Sequence, residues 1–269
     1  MDRQARRGPA VAGLNVHRFG SEGGRPLLAV HGVTGHGGRL RRLAEEGLPE
    51  LRVLAPDLRG HGRSTPLPPW NARRLADDLA ELLDAEGIER VAVLGHSYGG
   101  LLATLLAESR PQQVERVCLV DPAIGISPED GLEAAEAARL DDGWATEEEA
   151  YAARLAGRPA QARPMAEADV AEALEQGPDG RFRMRYCRPA AVTAWGEMTA
   201  PPVSLAHWPG ELLLVPATED DYVDDRLRAS LRADLGDRFV ERPVTGGHVL
   251  YWDAFDDLIA AIRPFLVGA

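Results

Sequence analysis

Val91-Ala92-Val93-Leu94-Gly95-His96-Ser97-Tyr98-Gly99-Gly100-Leu101-Leu102 reads as a short apolar strand, a glycine-bounded turn and the start of a helix. Residues 91–94 lack the alternation of a half-exposed strand and suit one covered on both faces. Leu101, Leu102, Leu105 and Leu106 recur at helical spacing until Pro111 stops the pattern. Between the two lies Gly95-His96-Ser97-Tyr98-Gly99, a G-x-S-x-G motif in the strand-turn-helix setting that a nucleophile elbow requires. Such a turn strains the serine backbone to project its hydroxyl, and the flanking glycines remove side chains that would strike strand and helix. A serine that merely caps the helix is the alternative reading.

Outward from this stretch, short apolar runs bounded by turn residues recur at 27–30, 53–55, 117–120 and 212–215. Helical patterns separate them, as where Leu75, Leu79, Leu82 and Leu83 share one face and end at Gly87. Strand and helix alternate, which predicts an α/β fold with a doubly wound, mostly parallel sheet. The alternation breaks after Asp121. Residues 124–205 are rich in Ala and Glu and show no convincing strand, with helices expected at 132–140 and 166–174. They read as a helical lid inserted into a core formed by 1–123 and 206–269. A last helix carries Trp252, Phe255, Ile259 and Ile262 on one face as core packing.

Composition removes several functions. The net charge of -12 makes nucleic acid an unexpected partner. All 30 basic residues are arginine, so Schiff-base lysine chemistry and a phosphate-loop lysine are absent. Cys118 lies in an apolar run far from Cys187, which points to a buried inert thiol with no disulfide or metal site. Arg3, Arg6 and Arg7 precede no apolar stretch, and no segment reaches the ~20 apolar residues of a membrane span. The chain is expected to be cytoplasmic, with its first eight residues mobile.

A serine hydroxyl needs a base, and that base needs a carboxylate to hold its tautomer. Among the seven histidines, His248 follows Thr245-Gly246-Gly247 and directly precedes the last helix, where the loop can bring it over the sheet edge. His17 and His207 have no such setting. Asp121 and Asp220 both lie just beyond predicted strands, at the carboxyl edge where ligands bind in parallel sheets. Strand pattern alone leaves the choice of acid open.

With these residues in place, the chain resembles the α/β-hydrolase superfamily over nearly its whole length, in the order serine, acid, histidine. The resemblance implies an eight-stranded type of sheet. It favours Asp220 over Asp121, because Ala217-Thr218-Glu219-Asp220-Asp221-Tyr222-Val223 is similar to the family's Gly-x-x-Asp-x-x-Val pattern, with alanine in place of glycine. His31-Gly32-Val33-Thr34-Gly35 is similar to the family's His-Gly-x loop, which implies an oxyanion hole of the Val33 and Tyr98 N–H groups. Asp57-Leu58-Arg59-Gly60-His61-Gly62-Arg63-Ser64 resembles a further family loop, braced by Asp57 and Arg59, with His61 structural.

These expectations describe a carboxylic-ester hydrolase with Ser97, Asp220 and His248 as its triad, a small-molecule acyl substrate and neither cofactor nor metal. His31, Gly32 and His96 beside the nucleophile, with Trp144 and Trp195 of the lid, are expected to contact substrate. Tyr151, Met165 and Tyr186 are further candidates for an acyl pocket. A carbon–carbon bond hydrolase is the alternative enzyme, with Arg181, Arg183 and Arg185 holding a substrate carboxylate. The alternative from another class is a low-turnover ligand-binding or signalling protein.

Overall fold

Leu28 and Val30 pack into one hydrophobic cluster and Leu27 and Ala29 into another, so alternate residues of a single strand feed cores on opposite faces of the sheet. That is why the strand reads as an unbroken apolar run. In the computed structural model, which describes residues 13–268, this strand is β2 (Pro26–Val30). The stretch expected to be mobile, residues 1–8, lies outside the described residues.

The sheet is built from β1 (Val16–Gly20), β2, β3 (Arg52–Pro56), β4 (Val91–His96), β5 (Val114–Val120), β8 (Glu211–Val215) and β9 (Phe239–Glu241). Their order is β1-β3-β2-β4-β5-β8-β9, with β1 antiparallel and the other pairs parallel. Among the described residues the sheet therefore has seven strands, where an eight-stranded type was expected. β1 is an antiparallel edge strand that the apolar-run criterion does not detect, because only its inner residues Val16 and Phe19 are buried.

One face carries α1 (Ala72–Ala85) and α2 (Tyr98–Ser109). Asn71 caps α1 by accepting from the Arg74 N–H, and Leu75, Leu79, Leu82 and Leu83 are buried as their spacing predicts. The opposite face carries α8 (Leu250–Asp253) and α9 (Phe255–Leu266), whose Leu258, Ile262 and Leu266 are buried. Phe255 and Ile259 of the expected stripe are partly exposed, so the inner face is rotated slightly toward Leu258. α7 (Asp225–Leu235) joins β8 to β9.

Between β5 and β8 the chain forms α3 (Pro128–Leu140), α4 (Glu147–Leu155), α5 (Arg163–Ala173) and α6 (Arg188–Met198). It also forms a small hairpin of β6 (Leu174–Gln176) and β7 (Phe182–Met184), where the sequence shows no convincing strand. Three-residue strands carry too little pattern to be seen in sequence. The expected helices at 132–140 and 166–174 correspond to α3 and α5.

Candidate active site

Ser97 sits between the end of β4 and the start of α2 with φ 56° and ψ -122°, backbone angles that cost a non-glycine residue of order 1–3 kcal/mol. Its surroundings hold it there. The Ser97 N–H donates to the Val120 carbonyl, and the Ser97 carbonyl accepts from the Gly100 and Ala123 N–H groups. A Cβ on Gly95 would come within 2.3 Å of the Gly99 carbonyl oxygen, and one on Gly99 within 2.3 Å of the Val30 oxygen. Both glycines are thus required by close approach of backbone to backbone.

The loop after β2 closes over this turn. A Cβ on Gly32 would stand 2.9 Å from Ser97 Cβ and 3.3 Å from Ser97 Oγ, so the Gly32 backbone lies directly against the hydroxyl. Gly35 N–H donates to the Gly32 carbonyl, and Thr34 takes a left-handed φ of 61°. No hydrogen bond from the Val33 or Tyr98 N–H to another group is formed among the described residues. For Tyr98, the first residue of α2, this follows from the unpaired first turn of any helix.

His248 Nδ1 and Asp121 Oδ2 are 2.6 Å apart, and Asp121 is fully buried. The carboxylate that meets the histidine is thus Asp121, where the sequence favoured Asp220. The reason is the end of β5. Asp121 turns out of the strand with a left-handed φ of 41°, its N–H donating to the Val215 carbonyl and its Oδ1 accepting from the Ala217 N–H. One backbone bond and one through Oδ1 tie Asp121 to the end of β8, and Oδ2 is left to receive the imidazole N–H. Asp220 lies farther along the loop after β8 and its Oδ1 accepts from the Asp221 N–H. Its carboxylate still comes within 4.8 Å of the ligating atoms of both Asp121 and His248. Burial and the nearby Asp121 charge raise its pKa, with His248 acting in the opposite sense.

Two rings hold His248. Tyr222 packs tilted against it at 4.4 Å between centroids and His96, also tilted, at 4.7 Å. His96 Nε2–H also donates to the His248 carbonyl at 2.8 Å, and Tyr251 Oη lies 3.4 Å from His96 Nδ1. Burial, then the neighbouring His248, keeps the His96 pKa well below the usual histidine value. His96, expected to touch substrate, therefore has both nitrogens engaged with the protein and braces the His248 loop. His31, also expected to touch substrate, has both nitrogens engaged as well: its Nε2 accepts from the Leu58 N–H and its Nδ1–H donates to the Gly32 carbonyl. Trp144 pairs with Phe182 at the edge of the β6–β7 hairpin, and Trp195 packs from α6 onto the core. Among the described residues no hydrogen bond or ring contact joins either of them to Ser97 or His248.

The loop 57–64 is braced as its sequence suggests. Asp57 accepts from the Gly37 and Arg63 N–H groups and from Asn15, while Arg59 forms a two-point pair with buried Asp78 of α1. Arg183 is bound to Asp179, Arg185 to Glu175, and Arg181 to the carbonyls of Asp142 and Gly143. All three are thus engaged by groups of the inserted segment, Arg181 with the turn at 142–143 that follows α3.

Sequence reasoning did not single out Tyr222, Tyr251 or the contact that ties the inserted segment to the core. In that contact Asp169 of α5 receives two bonds from Arg39 at 2.8 Å and one from His36 at 2.9 Å. Although burial opposes ionisation, Arg39 and His36 hold Asp169 far below the usual carboxylate range. An isolated Asp within a helix carries no signal of a partner 130 residues away. Beside Tyr222 and Asp220, a cavity of about 510 Å³ extends under α3, with Ile126 and Ala134 among its walls. No helix of the described residues is long and apolar enough to cross a membrane.

Residues 27–261 match the model of the alpha/beta hydrolase family. The chain is 36% identical over 261 residues to Lipase LipV of Mycobacterium tuberculosis, covering 95% of this chain and 98% of that protein. It is 24% identical to Esterase YbfF of Escherichia coli, over 90% and 92% of the two chains. Among solved structures, E-2-(acetamidomethylene)succinate hydrolase superposes with a TM-score of 0.79 at 24% identity, covering 95% of each chain.

Proposed function

The chain belongs to the alpha/beta hydrolase family, and from that premise we propose that it is a serine hydrolase cleaving carboxylic esters of small or medium acyl groups. The observation that carries this reading is a charge-assisted contact of 2.6 Å between His248 and buried Asp121, beside a serine held in an elbow. The names of the lipase and esterase relatives favour the ester over other acyl derivatives.

In this mechanism Ser97 Oγ attacks the ester carbonyl carbon while His248 Nε2 takes its proton. Asp121 holds the other ring nitrogen as a donor and balances the charge of the imidazolium. The N–H groups of Val33 and Tyr98 receive the oxyanion. Collapse breaks the bond to the alcohol, which leaves with the proton returned by His248. Water, deprotonated by the same histidine, then attacks the acyl-enzyme, releasing the acid and restoring Ser97. The helices 128–198 act as a lid over this edge of the sheet, with α3 above the cleft that Tyr222 and Asp220 line.

Turnover of a chain-length series of nitrophenyl esters by the wild type and Ser97→Ala tests the proposal. Hydrolysis by the wild type and its loss in the variant is expected. Equal rates would overturn it, and serine labelling by a fluorophosphonate without steady-state turnover would favour a ligand-binding protein instead. The carbon–carbon alternative loses the three arginines that motivated it, since each is bound to a group of the inserted segment itself.

A further inference from the structure

Outside the triad, three residues from separate parts of the chain converge where α5 meets the sheet edge. His17 lies on β1, His36 in the loop after β2, and Glu172 near the end of α5. One ring nitrogen of each histidine and one carboxylate oxygen of Glu172 lie within 4.8 Å of one another.

The tautomers follow from buried acids on the far side of each ring. His17 Nε2 stands 3.1 Å from Asp57 Oδ1, and His36 Nε2 stands 2.9 Å from Asp169 Oδ1. Asp57 also accepts from the Gly37 and Arg63 N–H groups and Asp169 from the Arg39 guanidinium, so both are acceptors and each histidine donates its Nε2–H. That leaves Nδ1 of each ring as the free lone pair. A carboxylate fixing the remote N–H of an imidazole is the arrangement that orients histidines as metal ligands. The Glu172 carboxylate has no hydrogen-bond partner among the described residues, and it occupies the space that a side chain on Gly38 would fill, 2.5 Å from that position. A cavity of about 120 Å³ has His36, Gly38 and Glu172 in its walls.

From this juxtaposition we infer a binding site for a divalent metal ion, ligated by His17, His36 and Glu172. Two imidazoles and one carboxylate suit Zn²⁺, with water completing a four-coordinate shell. Ligands about 2.1 Å from a shared ion need to draw closer than 4.8 Å, and half-exposed Glu172 has the freedom to close the gap. Three arginines near the cavity do not oppose the ion, since each already faces an acid: Arg39 with Asp169, Arg41 with Glu45 and Arg42 with Glu46. Because His17 and His36 belong to the core and Glu172 to the inserted segment, the ion would fasten one to the other.

Zinc chloride titrated calorimetrically into chelator-treated full-length protein tests the site without reference to turnover. One ion per chain is expected, with a rise in thermal midpoint on saturation and, for Co²⁺, visible absorption free of thiolate charge transfer. Glu172→Gln should weaken binding at least tenfold. Gly38→Ala should do the same by pushing the Glu172 carboxylate aside, with an unchanged midpoint in chelator showing that the fold is intact. Absence of binding would overturn the proposal. So would equal affinity in both variants, which would place the ion elsewhere, such as at Asp121, Asp220 and His248.

Discussion

Replacing Asp121 by asparagine is the sharpest test of which carboxylate serves His248. Asparagine is the fitting substitute, because position 121 has a φ of 41° and asparagine tolerates left-handed backbone. Its amide oxygen can still accept from the Ala217 N–H, so the strand end is preserved. What is lost is the charge beside an imidazole that becomes cationic in the transition state. At an effective dielectric near 20, charges about 4 Å apart attract by about 4 kcal/mol, which is roughly 10³-fold in rate. Loss of the fixed tautomer takes the expected fall in kcat toward ~10⁴. Asp220 is half-exposed and makes no hydrogen bond to the ring, so its charge acts through solvent. Its contribution is about 1 kcal/mol, and Asp220→Asn should lose about five-fold or less. Both variants, assayed on one nitrophenyl ester beside a thermal melt, give the comparison. A loss of ~10³ or more in Asp220→Asn, with Asp121→Asn within tenfold of wild type, would refute the assignment and make the contact at Asp121 purely structural.

Gly32→Ala places a methyl 2.9 Å from Ser97 Cβ, so kcat on the same ester should fall by ~10²-fold, the order lost with one oxyanion donor, while the melt stays near wild type. Asp169→Asn breaks a buried pair with Arg39 and should cost about 3–5 kcal/mol of stability, read in urea unfolding, with earlier proteolysis within 128–198. His31, His61 and His96 are held neutral by burial, His61 down to about 4. Unfolding raises each toward about 6.5, so their stabilisation is complete above that pH and is lost as the pH falls, for His61 until about 4. His61→Gln should therefore flatten the decline between those limits by about 3 kcal/mol, and an unchanged slope in denaturant melts across pH would show that His61 is not a source of it.

The elbow was legible because everything it needs is local: an apolar run, two glycines that backbone contacts demand, and a helical repeat after them. The parallel strands β2, β3, β4, β5 and β8 were legible for a related reason, since burial on both faces leaves continuous apolar runs. Edge strand β1 and the β6–β7 hairpin were not, being half-exposed or three residues long. The histidine's place before the last helices was readable from its glycine-rich loop, but its bracing by His96 and Tyr222 was not.

The acid marks the boundary most clearly. Asp121 and Asp220 each follow a strand, and β5 and β8 are neighbours, so both carboxylates arrive at the same corner of the sheet beside His248. Strand pattern does not rank them, and the family-like stretch 217–223 favours Asp220. Which carboxylate meets the His248 ring follows from bonds between the two strand ends, from Asp121 N–H to the Val215 carbonyl and from the Ala217 N–H to Asp121 Oδ1. Local sequence encodes backbone shape and burial, whereas the direction of a side chain at a strand end depends on its neighbour across the sheet, which only the folded chain supplies.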